Sequence, residues 1–286
     1  MAKSAAFLSV KDHSVSRETF ELYHNEDLQL LETRPQPNEE ELGNYYKSDD
    51  YISHTDNKRN LFEQLYHLVR SYALKRKLHL INSFSFSSNK LLDVGCGTGD
   101  FLRTAQRGNW NVKGVEPNAQ ARSIAIKKVG KDIFPPETLM ELQDHSFDVI
   151  TLWHVLEHLP DLKMQISLFK QKLKLGGRLV IAVPNCKSYD AKFYKEFWAA
   201  YDVPRHLWHF SQHSISKLFN EIDMEIEETL PMIFDAYYVS MLSEKYKKSS
   251  FGFLRGIYRG WLSNRSASRS GEYSSLIYVI KNKIYA

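Results

Sequence analysis

The chain has 286 residues, 43% hydrophobic and 25% charged, with a net charge of +4. That balance suits one or two globular domains, excludes a chain disordered throughout, and makes no demand for nucleic acid or membrane as a partner. Its two cysteines, Cys96 and Cys186, fit no metal or disulfide spacing, the opening "MAKSAAFLSV" is too short an apolar run for a signal peptide, and no stretch reaches membrane-span length, so a soluble cytoplasmic protein is expected.

Residues 1–56 differ in character from the rest of the chain. "TFELYHNEDLQLLE" has room for two short strands, "RPQP" marks a turn or linker, and the Glu run after it suits a helix start. From Lys58 to about Ile81, Leu61, Leu65, Leu68 and Tyr72 recur at helical spacing. Strands and helices then alternate. "KLLDVG" reads as a strand and 99–107 as a helix; "NVKGVEP" as a strand and 118–129 as a helix; "KDIF" as a weak strand; "SFDVITLW" as a strand. Residues 155–173 read as helix interrupted by Pro160, and "GGRLVIAVP" as a strand. Repeated βα units predict an open parallel sheet with helices on both faces, and "EIDMEIEETLP" and "SLIYVIKNKI" add two strands, with an antiparallel edge.

Between those last strands, 236–270 reads as an insertion. Residues 244–270 hold seven Lys/Arg against one acid, Glu244. Gly252, Gly256 and Gly260 recur every fourth residue, and Phe251, Leu254, Ile257, Tyr258 and Trp261 follow helical spacing. Two readings fit: a basic amphipathic segment lying on a lipid or substrate, and a surface helix docked closely on the sheet through its glycines.

The densest signal is "LLDVGCGTGD" at 91–100. Three glycines between a strand and a helix suit a ligand brought close to the backbone at a helix N-terminus. The spacing departs from the dinucleotide fingerprint, since the third glycine comes one residue early. Asp93 stands at the mouth of the loop, where a carboxylate repels a pyrophosphate and attracts a cation. Glu116, some twenty residues on and ending the next strand, suits the hydroxyls of a ribose. The site thus wants a ribose at one end and a positive, phosphate-free group at the other, and S-adenosylmethionine has that shape.

"LLDVGCGTGDFL", "GVEPN", "SFDVITLWHVLEHLPDL" and "LKLGGRLVIAVPN", in that order, resemble the motifs of class I S-adenosylmethionine-dependent methyltransferases. The bacterial subgroup similar to ubiquinone-biosynthesis-type O-methyltransferases is the nearest likeness. The resemblance implies a Rossmann-like three-layer α/β/α sandwich on a seven-stranded, mostly parallel sheet with one antiparallel strand. It implies donor binding by Asp93, Gly95, Cys96, Gly97, Thr98, Gly99, Glu116 and Pro117, an adenine border at Asp132, Ile133 and Phe134, and a methionine-side wall at Trp153 and His154. It also likens residues 1–56 to a zinc-ribbon-like module with Asn25 and Leu28 at cysteine positions. This would be a metal-free remnant packed on the core, with Tyr45, Tyr46 or Tyr51 covering the acceptor, or else a dimer arm. The methyltransferase domain would occupy 57–286.

Two histidine clusters compete for the chemistry. "HVLEH" at 154–158 formally fits H-x-x-E-H, an inverted zinc-peptidase motif. Its place at a strand mouth, with Pro160 two residues on and a nucleoside site beside it, argues against a zinc-bearing helix, and no metal is expected. His158 is then a general base or a structural hydrogen-bond donor, and His154 lies near donor and acceptor. "FWAAYDVPRHLWHFS" at 197–211 follows the fifth strand. There Tyr201, Asp202 and Arg205 suit a flat or anionic acceptor, and His206 and His209 rival His158 as base; the bland alternative is a buried aromatic loop with an internal Asp202–Arg205 pair. "LWHV" after the fourth strand, where base N-methylating enzymes carry an Asn/Asp-Pro-Pro-Tyr-like motif, disfavours nucleic acid. The expected activity is O- or C-methylation of a small-molecule acceptor by a monomer or homodimer, with a peripheral-membrane or lipid-linked substrate among the options. The rivals are a non-catalytic S-adenosylmethionine-binding regulator and an NAD(P)-dependent oxidoreductase, which Asp93 opposes.

Overall fold

The computed structural model describes residues 5–38, 41, 43–46 and 61–283, with side chains in the first long helix from residue 68 onward. The chain forms two compact units interleaved along the sequence. The first comprises residues 52–155, 161–181 and 279–286, and the second 1–51, 156–160 and 182–278.

In chain order the strands are β1 (Leu8–Lys11), β2 (Thr19–Asn25), β3 (Leu30–Arg34), β4 (Lys90–Val94), β5 (Asn111–Val115), β6 (Ile133–Phe134), β7 (Phe147–Trp153), β8 (Leu173–Pro184), β9 (Trp208–His209), β10 (Met224–Pro231) and β11 (Ser275–Asn282). Seven of them form a mostly parallel sheet in the order β10-β11-β8-β7-β4-β5-β6, flanked by helices as a three-layer sandwich.

In the first unit, β4 pairs in parallel with both β5 and β7. Leu91, Leu92, Val149, Ile150 and Leu152 are fully buried, as strands covered on both faces require. Because β4 has β5 on one side and β7 on the other, the chain reverses its winding there. The carboxyl ends of β4 and β7 therefore border the crevice in which open α/β sheets take their ligands. Helices Asp100–Arg107, Ala119–Val129 and Leu162–Lys172 follow β4, β5 and β7, the middle one capped by Asn118, whose side chain accepts from the backbone N–H of Gln120 and Ala121. The stretch read as an interrupted helix over 155–173 resolves into a 3₁₀ turn, Leu156–His158, and the helix from Leu162, while β8 begins at Leu173, earlier than the glycine pair suggested.

In the second unit, β1, β2, β3 and β9 make an antiparallel sheet. The two strands expected in "TFELYHNEDLQLLE" are β2 and β3, and β1 adds a third ahead of that stretch. Where Asn25 and Leu28 stand at the cysteine positions of the likened ribbon, an Asx turn closes the β2–β3 hairpin, with Asn25 Oδ1 accepting from the Leu28 N–H at 2.9 Å. Val10, Phe20 and Leu22 pack with Tyr194, Trp198 and Tyr201 in one core.

The 236–270 insertion is a helical hairpin, Ile233–Tyr246 and Gly252–Ser270. Its glycines do dock closely, but on the partner helix rather than on the sheet. A Cβ added at Gly256 would meet Met241 Cα at 2.6 Å, and one at Gly260 would meet Tyr237 Cα at 2.7 Å.

Candidate functional site

The loop after β4 carries three consecutive odd-numbered glycines in the left-handed region, with φ of +69° at Gly95, +55° at Gly97 and +79° at Gly99. Their reasons differ. A Cβ at Gly95 would sit 2.4 Å from Val155 Cγ2 and one at Gly99 3.0 Å from Ala125 Cβ, whereas among the described residues nothing lies within 4 Å of the Cβ position at Gly97. Gly95 and Gly99 therefore serve packing, and Gly97 faces open space where a side chain would intrude on a ligand.

Two buried carboxylates serve this loop. Asp93 is 2% exposed, and the β4–β7 register sets it beside Thr151, whose hydroxyl donates to it at 2.6 Å. Burial pushes the Asp93 carboxyl up to about 7, opposed by the Thr151 hydroxyl and Lys77 and assisted by Glu116. Such a group gains from a cation brought against it. Glu116, 1% exposed, braces two backbone segments, accepting from the Gly97 N–H at 2.8 Å through Oε2 and the Asn118 N–H at 2.9 Å through Oε1. Burial raises its pKa too, against those two N–H donors and Arg122. Each oxygen keeps a second lone pair, enough for a ribose hydroxyl.

The remaining expected donor-site residues surround this pair. Cys96 is buried, its thiol pushed up by burial and by Asp93, which makes it an inert space-filler. Thr98 donates to Asp100, which Arg70 and Lys128 also hold at the start of the following helix. Pro117 accepts from Arg122 at 3.1 Å. Ile133 is buried, Phe134 half-buried and Asp132 exposed, at the end of the strand next to β5. Trp153 ends β7 edge-on to Phe101, under the Lys77 ammonium 4.2 Å from its ring. Its indole N–H is buried with no hydrogen-bond partner among the described residues. His154 takes a left-handed φ of +57°. An open cradle at Gly97, two buried acids and an orphaned indole donor together fit a ligand carrying a cation, a ribose and acceptor atoms. Thr151 and Lys77 escape a motif-based reading. Thr151's sole signal is a hydroxyl in a strand otherwise apolar but for Asp148, and Lys77 is one of many helical bases.

The second unit holds the other histidines. The ring nitrogen Nδ1 of His158 meets the Arg205 carbonyl at 2.9 Å, and that of His206 meets the Ala200 carbonyl at 2.8 Å. A carbonyl only accepts, so both rings carry a proton on Nδ1, which leaves Nε2 of His206 as its accepting nitrogen. His206 Nε2 lies 4.0 Å from Glu157 Oε1 and 3.9 Å from Asp202 Oδ2. Donor atoms of Glu157, His158 and His206 all fall within 4.8 Å of one another, so this trio, and not the H-x-x-E-H pairing, is the set that could hold a metal ion among the described residues. Burial, with His206 beside it, draws His158 down to about 4.

His209 is placed differently. The Thr33 hydroxyl donates to the His206 carbonyl at 2.7 Å, so its oxygen accepts from His209 Nε2 at 3.0 Å. His209 is buried with its ring against Tyr201, and burial draws it down to about 3. Asp202 and Arg205 form the internal pair, joined through Nε at 2.9 Å and a second guanidinium nitrogen. Burial alone would raise the Asp202 pKa; the Arg205 bonds and charge outweigh it. Arg205 also reaches Asp12 and the Tyr45 carbonyl. Tyr201 is buried, and the Tyr45 hydroxyl donates to Glu18 at 2.9 Å. The side chain of Tyr46 and the whole of Tyr51 lie outside the described residues.

A family model described as a methyltransferase domain matches residues 52–229. The chain is 32% identical over 103 residues to a ubiquinone biosynthesis O-methyltransferase of Idiomarina loihiensis, covering 34% of this chain and 42% of that protein. It is 30% identical over 112 residues to an uncharacterized methyltransferase of Anoxybacillus flavithermus, covering 37% and 53%. The chain thus spans about half the length of these curated relatives. Among solved structures, a magnesium protoporphyrin IX methyltransferase from Synechocystis PCC 6803 with bound SAH shares the fold at a TM-score of 0.57 and 15% identity, covering 86% of this chain and 100% of that one. A geranyl diphosphate C-methyltransferase from Streptomyces coelicolor aligns at 0.53 and 12% identity, covering 81% and 89%.

Proposed function

The chain belongs to the methyltransferase-domain family, of the class I S-adenosylmethionine-dependent type, and from that premise we propose that it methylates an oxygen or carbon of a small-molecule acceptor. S-adenosylmethionine supplies a methyl group on a sulfonium, already a good leaving group, so the protein's task is alignment and proton removal.

Asp93 receives the donor's ammonium, directly or through water, and Glu116 its ribose hydroxyls. Gly97 leaves room for the chain between them. Ile133 and Phe134 border the adenine, and Trp153 and His154 the methionine side.

His206 is the general base of this reading. Its Nε2 accepts the acceptor's proton, and the resulting imidazolium is held by Glu157 and Asp202, each about 4 Å away. The same two acids would gain nothing from a neutral ring. His158, which burial draws down to about 4, is a weak base. His209, bonded to Thr33 and packed on Tyr201, is a structural residue that fixes the loop. The observation that carries the proposal is the pair of buried acids at the glycine loop, which favours a cationic nucleoside over a dinucleotide.

Calorimetry with S-adenosylhomocysteine and NAD tests the donor half. Tight NAD binding without binding of S-adenosylhomocysteine would overturn it. For the base, labelled-methyl transfer to a panel of phenols, sugars and lipid-linked acceptors should identify an acceptor. His206→Gln should then lower kcat by roughly 10²–10⁴-fold with donor affinity unchanged; an unchanged kcat would remove His206 from the mechanism.

A further inference from the structure

The helix Gly252–Ser270 is built inside out. Where an ordinary surface helix turns its large apolar residues inward, this one buries Gly256, Gly260, Ser263 and Ala267. Ser263 is fully buried and donates to Asp190 at 2.7 Å, so the orientation is pinned by a buried polar contact as well as by the two glycines. The consequence is that Leu254, Ile257, Tyr258 and Trp261, at i, i+3, i+4 and i+7, point outward at 63%, 39%, 55% and 46% exposure. Phe251, at the turn that starts the helix, is 79% exposed. These are too many contiguous large side chains for an idle surface.

Charge says what covers them. From Lys245 to Gly271 the sequence has seven Lys/Arg and no acid. Lys245, Lys247 and Lys248 before the second helix, and Arg255, Arg265 and Arg269 along it, are exposed, while Arg259 is held internally over the Phe193 ring at 3.9 Å. A second copy of the chain meeting this face by a two-fold axis would bring like charges together. An anionic lipid surface accepts both features at once: aromatic and aliphatic side chains enter the headgroup boundary, and the bases stay with the headgroups. No described helix is long and apolar enough to cross a membrane, so the hairpin lies on the bilayer rather than spanning it.

We propose that the outer face of the 233–270 hairpin is a peripheral membrane-docking surface for anionic lipid. This rests on the exposed face and its charge, and stands whether or not His206 is the base. The test is co-sedimentation of the full chain with vesicles of phosphatidylcholine alone and of phosphatidylcholine mixed with phosphatidylglycerol. The chain should pellet with the mixed vesicles, far less with the neutral ones, and be released by salt. Arg255→Ala/Arg265→Ala/Arg269→Ala should weaken binding by roughly 100-fold, at about fivefold per base. Leu254→Ser/Trp261→Ser should abolish it. Both variants change exposed side chains, and circular dichroism with unchanged melting verifies that they fold. Absence of binding to mixed vesicles, or equal binding by both folded variants, would overturn the proposal. So would a concentration-dependent dimer that Leu254→Ser/Trp261→Ser dissolves, since that gives the face to a second copy.

Discussion

Asp93→Asn separates charge from shape at the donor site. The amide keeps an oxygen to accept from Thr151, 2.6 Å away, so the β4–β7 register is undisturbed. What is lost is the negative charge. A hydrogen bond to a charged group is worth about 1.5–3 kcal/mol, so affinity for S-adenosylhomocysteine should fall by roughly 10- to 150-fold. The wild type adds a pH signature. Its folded pKa, pushed up by burial to about 7, exceeds the unfolded value, so Asp93's contribution to stability is full below about pH 4 and is lost as pH rises through about 7. Binding runs the opposite way, because the cation favours the ionised carboxyl. The competent fraction grows as pH rises, and affinity should increase between about pH 6 and about pH 7.5. Calorimetry at both values, on both proteins, reads this out. The wild type should show the rise, and Asp93→Asn should bind weakly and show none. Equal affinity in the two proteins would refute the role assigned to Asp93.

Glu116→Gln turns one of two accepting oxygens into a donor facing a backbone N–H, at Gly97 or Asn118. The unpaired buried group should cost about 1–3 kcal/mol of stability, and the loss of a ribose partner should weaken donor binding at least tenfold; calorimetry and thermal melting check both. Gly256→Val drives its Cβ into Met241 Cα, 2.6 Å away, and should destabilise the protein by roughly 1–3 kcal/mol in a denaturant titration, with donor affinity intact. Thr33→Val keeps the shape but strips the hydroxyl that donates to the His206 carbonyl and accepts from His209. If that hydroxyl sets the histidine loop, kcat should fall while calorimetric donor affinity stays as in the wild type.

Much of the first unit was legible because its signals are local. A strand, three glycines and a helix are contiguous in "LLDVGCGTGD", and the acid at the end of the next strand lies one βα unit away, so sequence distance reports spatial role. Thr151 and Lys77 were not legible for the converse reason. Only the parallel register of β4 on β7 brings a hydroxyl 58 positions downstream against Asp93, and a helix upstream of the whole motif supplies the ammonium over Trp153. Periodicity found the 252–270 helix but gave its burial the wrong address, since the spacing of Gly256 and Gly260 says that something comes close and not which element does.

The histidines show how the same limit falls on chemistry. By spacing, His154 and His158 make a metal-binding pair and His206 and His209 are interchangeable. The structure sorts them by the backbone atoms each ring meets. Carbonyls of Arg205 and Ala200 accept from Nδ1 of His158 and His206, leaving Nε2 of His206 to do work. Thr33, from the N-terminal hairpin, takes the Nε2 side of His209 and removes it from contention. Burial then sets His158 apart, drawing it down to about 4, while Glu157 and Asp202 stand near 4 Å from His206 Nε2 where an imidazolium would form. Those backbone partners carry no side-chain signature, which is why no motif encodes the choice. Because β3 pairs with β9, with Leu31 opposite His209 and Glu32 opposite Trp208, the N-terminal strands are part of what sets the ring orientations, whatever else that segment covers.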